Sequence, residues 1–190
     1  MEKTPMDVKE FVRKILAGER NFDNIELHSH DLGPDLCKDG SIHKINKALL
    51  RNEGMSTYEP LSLRNASLYN LRAPRIYLAK AKLSGACLAD ASLWNADLTD
   101  ADLTKADLEK ANCQHAIFYE ATILEAKIGG ASLWNANFAH ADLREVYGFE
   151  SVSGLESANF YMTKVSAIPA AILHEKGVKN RVYLLDEQKE

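Results

Sequence analysis

The sequence predicts an all-β solenoid, a chain that turns four corners in each circuit and stacks coil on coil. Three observations predict it. A five-residue period runs from Leu61 to Glu145 through 17 blocks without an insertion. Every fifth residue from Ala81 to Ala141 is alanine, thirteen in succession. Two positions after each alanine, at a position called i, sixteen of the 17 blocks from Leu63 to Leu143 carry Leu, Ile, Phe or Cys, with Ala73 the exception.

The period excludes ordinary elements. Five helical steps of about 100° advance a side chain by about 140°, so the leucines would form no stripe. On a flat strand a period of five sends successive leucines to opposite faces. Positions i−2 and i nevertheless share one face of a short extended segment. Both point inward if the backbone turns after each block, with one block per side and four blocks per circuit. Position i+2 falls at the corner and is Asn, Asp or Gly in eight blocks: Asn65, Asn70, Gly85, Asp90, Asn95, Asp100, Gly130 and Asn135. These residue types tolerate turn conformations. Positions i−1, i+1 and i+2 are otherwise largely charged or hydroxylated, as an outer surface requires.

The run ADLTDADLTKADLEKAN, with its neighbours, resembles the pentapeptide-repeat family, whose pattern is Ala, Asp or Asn, Leu and two variable residues. The resemblance is clear from Leu61 to Glu145. It implies a right-handed quadrilateral β-helix and a protein that is not an enzyme. For some members it also implies a role as duplex-DNA mimics that bind type II topoisomerases, the quinolone-protection type.

The flanks are expected to close this column within one domain. Residues 1–19 form an N-terminal cap helix, with Val8, Phe11, Val12, Ile15 and Leu16 at helical spacing and Thr4 and Asp7 as caps. Residues 20–34 are imperfect first repeats carried by Phe22, Leu27 and Leu32. Residues 35–60 are an insertion holding a short helix over Ser41 to Arg51, with Gly54 as its stop. After the regular 61–145, residues 146–168 make an irregular final coil. There Leu155 follows Leu143 by twelve residues instead of ten, so a two-residue slip intervenes. Residues 169–190 supply a C-terminal cap helix over Pro169 to Lys176, a strand at Val182 to Leu185 and a tail. Such caps cover the unpaired edges of a solenoid.

Composition narrows the function. The chain is 46% hydrophobic and 26% charged with a formal charge of −4, too balanced for a basic nucleic-acid footprint. Direct nucleic-acid binding is not expected, and no apolar run reaches the roughly 20 residues of a membrane helix. The N-terminus lacks the apolar core of a secretion signal. Cys37, Cys87 and Cys113 form no CxxC pair, which suits a cytoplasmic location.

Catalytic chemistry has no foothold in the pattern. An interior packed with Leu and Ala leaves no substrate cavity, and no phosphate loop or nucleophile elbow occurs. His28, His30 and Asp31 are too few for a zinc site, and the register sends His28 outward and His30 inward. No metal and no cofactor are expected. The acidic residues Asp90, Asp97, Asp100, Asp102, Asp107 and Glu109 fall on several sides of the square. Over 61–145 nine Lys and Arg face ten Asp and Glu, one net negative charge, so a solvated face is the simpler reading.

Steps of one full circuit give one specific lead. Ser92, Trp94 and Asn95, then Asn112, Gln114 and His115, then Ser132, Trp134 and Asn135 line one side and include no Asp, Glu, Lys or Arg. Both tryptophans lie there, two coils apart, with Ile117 and Tyr119 on the adjacent side. The candidate partner-binding residues are therefore Trp94, Asn95, Gln114, His115, Tyr119, Trp134 and Asn135. The tryptophans could instead stack on wall residues or lie under the insertion. The expected function is a non-catalytic protein–protein interaction or self-association module presenting a rigid wall to a protein partner or a second copy.

Overall fold

The computed structural model describes residues 2–28, 34–37, 40–50, 59–178 and 182–184. Its centre is a stack of four-sided coils. Parallel bridges join the i−1 residues of successive coils: Ser62 to Lys82, Lys82 to Asp102, Asp102 to Thr122 and Thr122 to Asp142 on one side. We number the sides by their first regular block: wall 1 at 61–65, wall 2 at 66–70, wall 3 at 71–75 and wall 4 at 76–80. The inward positions are as the period predicts, with Ala and Leu buried from Leu61 to Leu143.

The backbone accounts for the five-residue unit. In each block the N–H of i donates to the i−1 carbonyl of the next coil, as Leu83 does to Asp102 at 2.7 Å. The i−1 N–H donates to the preceding coil, as Asp102 does to Ala81 at 3.0 Å, and the i+2 N–H donates onward, as Asp90 does to Glu109 at 2.8 Å. The N–H three residues after i closes the turn, as Ala101 does onto Leu98 at 3.1 Å. That leaves the N–H of i+1, a group that needs an acceptor or water. Asp or Asn at i−1 supplies one: the side chains of Asp97, Asp102 and Asp107 accept from Thr99, Thr104 and Glu109 at 3.0 Å each. The Asp of the repeat is thus a local turn acceptor.

Every one of the 17 corners at i+2 has positive φ, including Arg75, Lys80, Lys105, Lys110, Glu120 and Glu125. Only eight carry the residue types that favour it. At the others the ladder imposes the conformation on side chains that resist it.

Inside, Phe118, Phe138 and Phe160 stack nearly parallel along the tube, with centroids 4.6 and 5.3 Å apart. Thr163 takes an alanine position, fully buried, and its hydroxyl donates to the Phe138 carbonyl at 2.8 Å. An interior gap of about 10 Å³ is lined by Leu108, Cys113, Phe118 and other apolar side chains. That is about the room a single water occupies.

The N-terminal end departs from expectation in two places. A strand, β1 (Thr4–Asp7), precedes the helix α1 (Val8–Leu16) and pairs in parallel with β2 (Ile25–His28). Pro5 lies on this outer strand, where a missing N–H blunts an edge. Asp7 caps α1 as predicted, accepting from the Glu10 N–H at 2.9 Å. Leu32 lies outside the described residues, and Leu36 fills the inward position on wall 3 because Asp35 pairs with Arg72. The register therefore breaks between Leu27 and Leu36, and the first two residues of the expected insertion belong to the first coil.

Helix α2 (Ser41–Leu50) stands where the fourth wall of that coil would run. Its Asn46 Nδ2 donates to the Arg75 carbonyl at 2.7 Å, and its Oδ1 accepts from the Tyr77 N–H at 2.8 Å. One amide thus replaces a strand. Arg20 joins the two helices, donating to the Ile15 carbonyl of α1 at 3.1 Å and the Ala48 carbonyl of α2 at 2.9 Å. Gly54 lies outside the described residues.

At the other end the two-residue slip resolves into two single steps. Lys127 pairs with Tyr147, Ser132 with Ser153 and Asn137 with Asn159, offsets of 20, 21 and 22. At each step a glycine stands at position i and the next residue fills the interior: Gly148 before Phe149, and Gly154 before Leu155. Both have positive φ, and a Cβ would lie 2.6 Å from Gly129 Cα or 2.5 Å from Trp134 N. β3 (Asp142–Leu143), β4 (Thr163–Val165) and β5 (Val182–Leu184) then form a parallel sheet, with α3 (Ala167–Glu175) between the last two. α3 begins two residues before Pro169 and buries Pro169, Ala170 and Leu173. Leu185 lies outside the described residues.

Candidate interaction surface

Walls 3 and 4 carry the candidate residues because their blocks place Trp, Tyr, Gln and His at i+1 and i+2, outside the tube. Asn95, His115 and Asn135 are corner residues with φ of 56°, 58° and 57°. The Asn95 N–H donates to the Gln114 carbonyl and the His115 N–H to the Trp134 carbonyl, both at 2.8 Å. Trp94, Gln114 and Trp134 therefore occupy consecutive rungs. The Gln114 N–H is held by Asn112 Oδ1 at 3.2 Å.

The two tryptophans differ although each sits in the pentad SLWNA. Trp94 is half-buried: the Arg75 guanidinium lies 4.9 Å from its ring centroid, and His115 meets it edge-on at 6.3 Å. Trp134 is 47% exposed, and the residue above its backbone is Gly154, which has no side chain to cover it. Arg75, one coil below the three considered from the sequence, brings a cation onto this side.

On wall 4, Tyr119, His140 and Tyr161 form an edge-to-face column with centroids 5.5 and 5.8 Å apart. Ile117 is 40% and Tyr161 48% exposed beside Trp134. Asn159 Nδ2 donates to Asn137 Oδ1 at 2.9 Å. Among the outward wall positions from Asn112 to Met162 on walls 3 and 4, Glu120 and Glu156 alone carry a fixed charge, and Glu156 lies 3.8 Å from Lys176. Tyr161 and His140 were not singled out from the sequence. Tyr161 stands two positions beyond the point two full circuits after Tyr119, and the two glycine steps hide it from a strict count by circuits.

Electrostatics elsewhere on the surface are local. Burial raises the Asp100 carboxyl, and the neighbouring Glu120 carboxyl raises it further. Burial also raises Asp142, but the Arg144 guanidinium, bonded at 2.8 and 2.9 Å, outweighs it and holds that carboxyl below its ordinary value. Asp23 is treated alike: burial is outweighed by the Ser62 hydroxyl and then by Arg64. Burial pushes the Cys113 thiol up to about 12.

Among the described residues no group of three or more His, Cys, Asp and Glu is placed to hold a metal. His28 is exposed, while His30 and Asp31 lie outside the described residues. No described helix is long and apolar enough to cross a membrane.

The family model described as pentapeptide repeats (8 copies) matches residues 86–123 and 96–135. Among solved structures the chain is similar to a pentapeptide repeat protein from the Arabidopsis thaliana thylakoid lumen. There the identity is 28% over 44% of this chain and 66% of that one, with a TM-score of 0.37. It is also similar to HetL, a pentapeptide repeat protein involved in heterocyst differentiation regulation from Nostoc sp. strain PCC 7120 (24%, 85% and 67%, TM-score 0.39). A third is QnrB1, a plasmid-mediated fluoroquinolone resistance protein (11%, 87% and 94%, TM-score 0.41). The chain spans about two thirds of the first two. No curated protein matches it. The family match falls on the rungs where alanine and leucine fill the tube and Asp or Asn closes the turns, so residues 86–135 of this chain carry pentapeptide repeats within its stack of four-sided coils.

Proposed function

We infer that this chain is a non-catalytic interaction module whose docking surface is formed by walls 3 and 4. One observation carries the reading: Trp134, Ile117 and Tyr161, between 40% and 48% exposed, share a region almost without fixed charge. Aromatic enrichment with charge depletion marks the centre of protein interfaces. Asn95, Gln114, His115, Tyr119 and Asn135 supply hydrogen-bonding groups around it, and Trp94 with Arg75 forms its lower margin. The ladder beneath fixes the backbone of these groups, so binding has only their side chains to order. Affinity capture on the full chain tests this. Wild type retains a protein that the Ile117→Ala, Trp134→Ala double variant loses, with unchanged melting. Equal capture by both rejects the surface.

A duplex-DNA mimic would need a continuous acidic wall. Asp97, Asp102 and Asp107 lie on walls 4, 1 and 2 and are engaged in their own turns. Inhibition or protection of a type II topoisomerase in a supercoiling assay would favour that role instead. We read α1 and α3 as caps on a single domain, because Phe11, Ile15, Ala170 and Leu173 join the same apolar cluster as the tube. The three free thiols accord with a cytoplasmic location.

A further inference from the structure

We propose that wall 4 seats an extended, proline-rich segment of a partner protein, with a proline over Ala139 and an arginine three residues away over Asp97, Asp100 and Glu120. This rests on the reading of walls 3 and 4 as a docking surface and names the chemistry of the partner. Shape gives the first reason. In the column of i+1 residues Ala139 stands between Tyr119 and Tyr161, and its single methyl leaves a notch between them. The His140 ring closes that notch at the corner, 5.5 and 5.8 Å from the two tyrosines, and Ala139 is its floor at 6% exposed. A proline ring enters such a gap between aromatic rings, and a polyproline II segment presents it already ordered.

Hydrogen bonding gives the second reason. Asn137 Oδ1 accepts from the Ala139 N–H at 3.1 Å and from Asn159 Nδ2 at 2.9 Å. Asn159 Oδ1 accepts from the Tyr161 N–H at 3.0 Å. Both amide oxygens are committed to the wall, so what these amides offer a partner is N–H. A row of donors fits a ligand rich in carbonyls and poor in N–H. Polyproline II makes no internal hydrogen bonds, and proline has no N–H.

Charge and spacing give the third. On wall 4 and the corner that ends it, the fixed charges are Asp97, Asp100 and Glu120 against Lys80. Burial and the Glu120 carboxyl raise Asp100, and Lys80 lowers it by less. The Asp100 N–H donates to the Tyr119 carbonyl at 2.9 Å and the Glu120 N–H to the Ala139 carbonyl at 3.1 Å, so these carboxylates occupy the two rungs below the notch. Two rungs measure about 9.6 Å, and one three-residue turn of polyproline II about 9.3 Å. A cation one turn from the seated proline therefore meets the acidic corner, and the planar fork of arginine suits paired carboxylates.

Titration of the full chain with nine-residue peptides of proline and one arginine tests this, the arginine second from either end because both chain directions fit. The readout is the amide NMR spectrum. One of the two peptides should shift the Ala139, Asn159 and Tyr161 signals saturably. Glutamate in place of its arginine should weaken binding roughly tenfold, the loss of one charge-assisted contact. Glu120→Lys should reverse the preference between the arginine and glutamate peptides. Lys105 and Lys110 already hold that corner conformation, so this variant should keep the wild-type melt; if it does not, Tyr161→Ala replaces it and should weaken binding of the arginine peptide. No saturable shift up to millimolar peptide overturns the proposal. Equal shifts from a glycine–serine peptide with the same arginine overturn it too, as does an unchanged preference in Glu120→Lys. If neither peptide binds yet the Ile117→Ala, Trp134→Ala variant still loses a captured protein, the proline-rich partner is wrong and the docking surface stands. Failure of both tests overturns both.

Discussion

The Ser157 hydroxyl oxygen accepts the backbone N–H of Asn135 at 3.0 Å, where the repeat would place a carbonyl of the next coil. Ser151 does the same for Gly130 at 2.9 Å, and Ser166 for Glu145 at 2.8 Å. Three corners of the last regular coil thus receive hydroxyls in place of backbone carbonyls. Ser157→Ala should cost about 1 kcal/mol, read as a lower urea midpoint at unchanged slope. Hydrogen exchange at Asn135 should quicken. An unaltered exchange rate there would show that water serves that corner equally well.

Replacing the tube filling should be felt from either direction. Leu103→Ala removes a fully buried side chain and should cost roughly 2–5 kcal/mol. Ala101→Leu overfills the narrow inward site and should cost roughly 1–3 kcal/mol. Denaturant melts measure both, and neutrality of the pair would contradict their burial.

Asn46→Ala removes both hydrogen bonds by which α2 completes the first coil and should cost about 1–3 kcal/mol. Asn46→Asp should fare better than Ala, because it keeps the acceptor for the Tyr77 N–H. Thermal melts of the three proteins test that order.

Gly154→Ala introduces a Cβ against the Trp134 backbone at a φ of 83° and should cost roughly 1–3 kcal/mol. Trp134 fluorescence should shift, since its ring is the nearest side chain. A wild-type spectrum with wild-type stability would count against the close approach.

Asp100 and Asp142 predict opposite pH responses. The folded Asp100 carboxyl is raised by burial and by Glu120, so its ionised form is penalised above that value and the penalty fades as pH falls through it. Asp100→Asn should therefore melt higher than wild type at neutral pH, with the gap closing toward about pH 4. Burial raises Asp142, but Arg144 outweighs it and holds the carboxyl low. Its contribution is full above the ordinary carboxylate value of about 3.9 and is lost as pH falls through the lowered one. Asp142→Asn should be destabilised at neutral pH and approach wild type in acid.

The regular walls could be read from the sequence because burial repeats with the period: a buried apolar residue stands at every i−2 and i position from Leu61 to Leu143. Other features were hidden by physics that no short window contains. Lys105 and Glu120 adopt positive φ because coils above and below demand it, against their own preference. Leu36 fills the inward place on wall 3 because Asp35 pairs with Arg72, a partner far along the chain. β1 is four residues, TPMD, with no clear alternation. Trp94 and Trp134 share a pentad, yet one lies against a guanidinium and the other beside a glycine, differences set by residues about a full circuit away.

The interior and the exterior of this tube keep different reading frames. Inside, all four walls accept the same Ala and Leu, so gaining or losing one five-residue unit leaves the filling intact. Outside, the same event turns every later coil by a quarter circuit: deleting one unit between Trp94 and Trp134 would carry Trp134 from wall 3 to wall 2. Loss of four units together would return it to its wall, one rung closer. A lineage can therefore shuffle its surface one unit at a time while its core registers nothing, and only multiples of four units preserve a binding face.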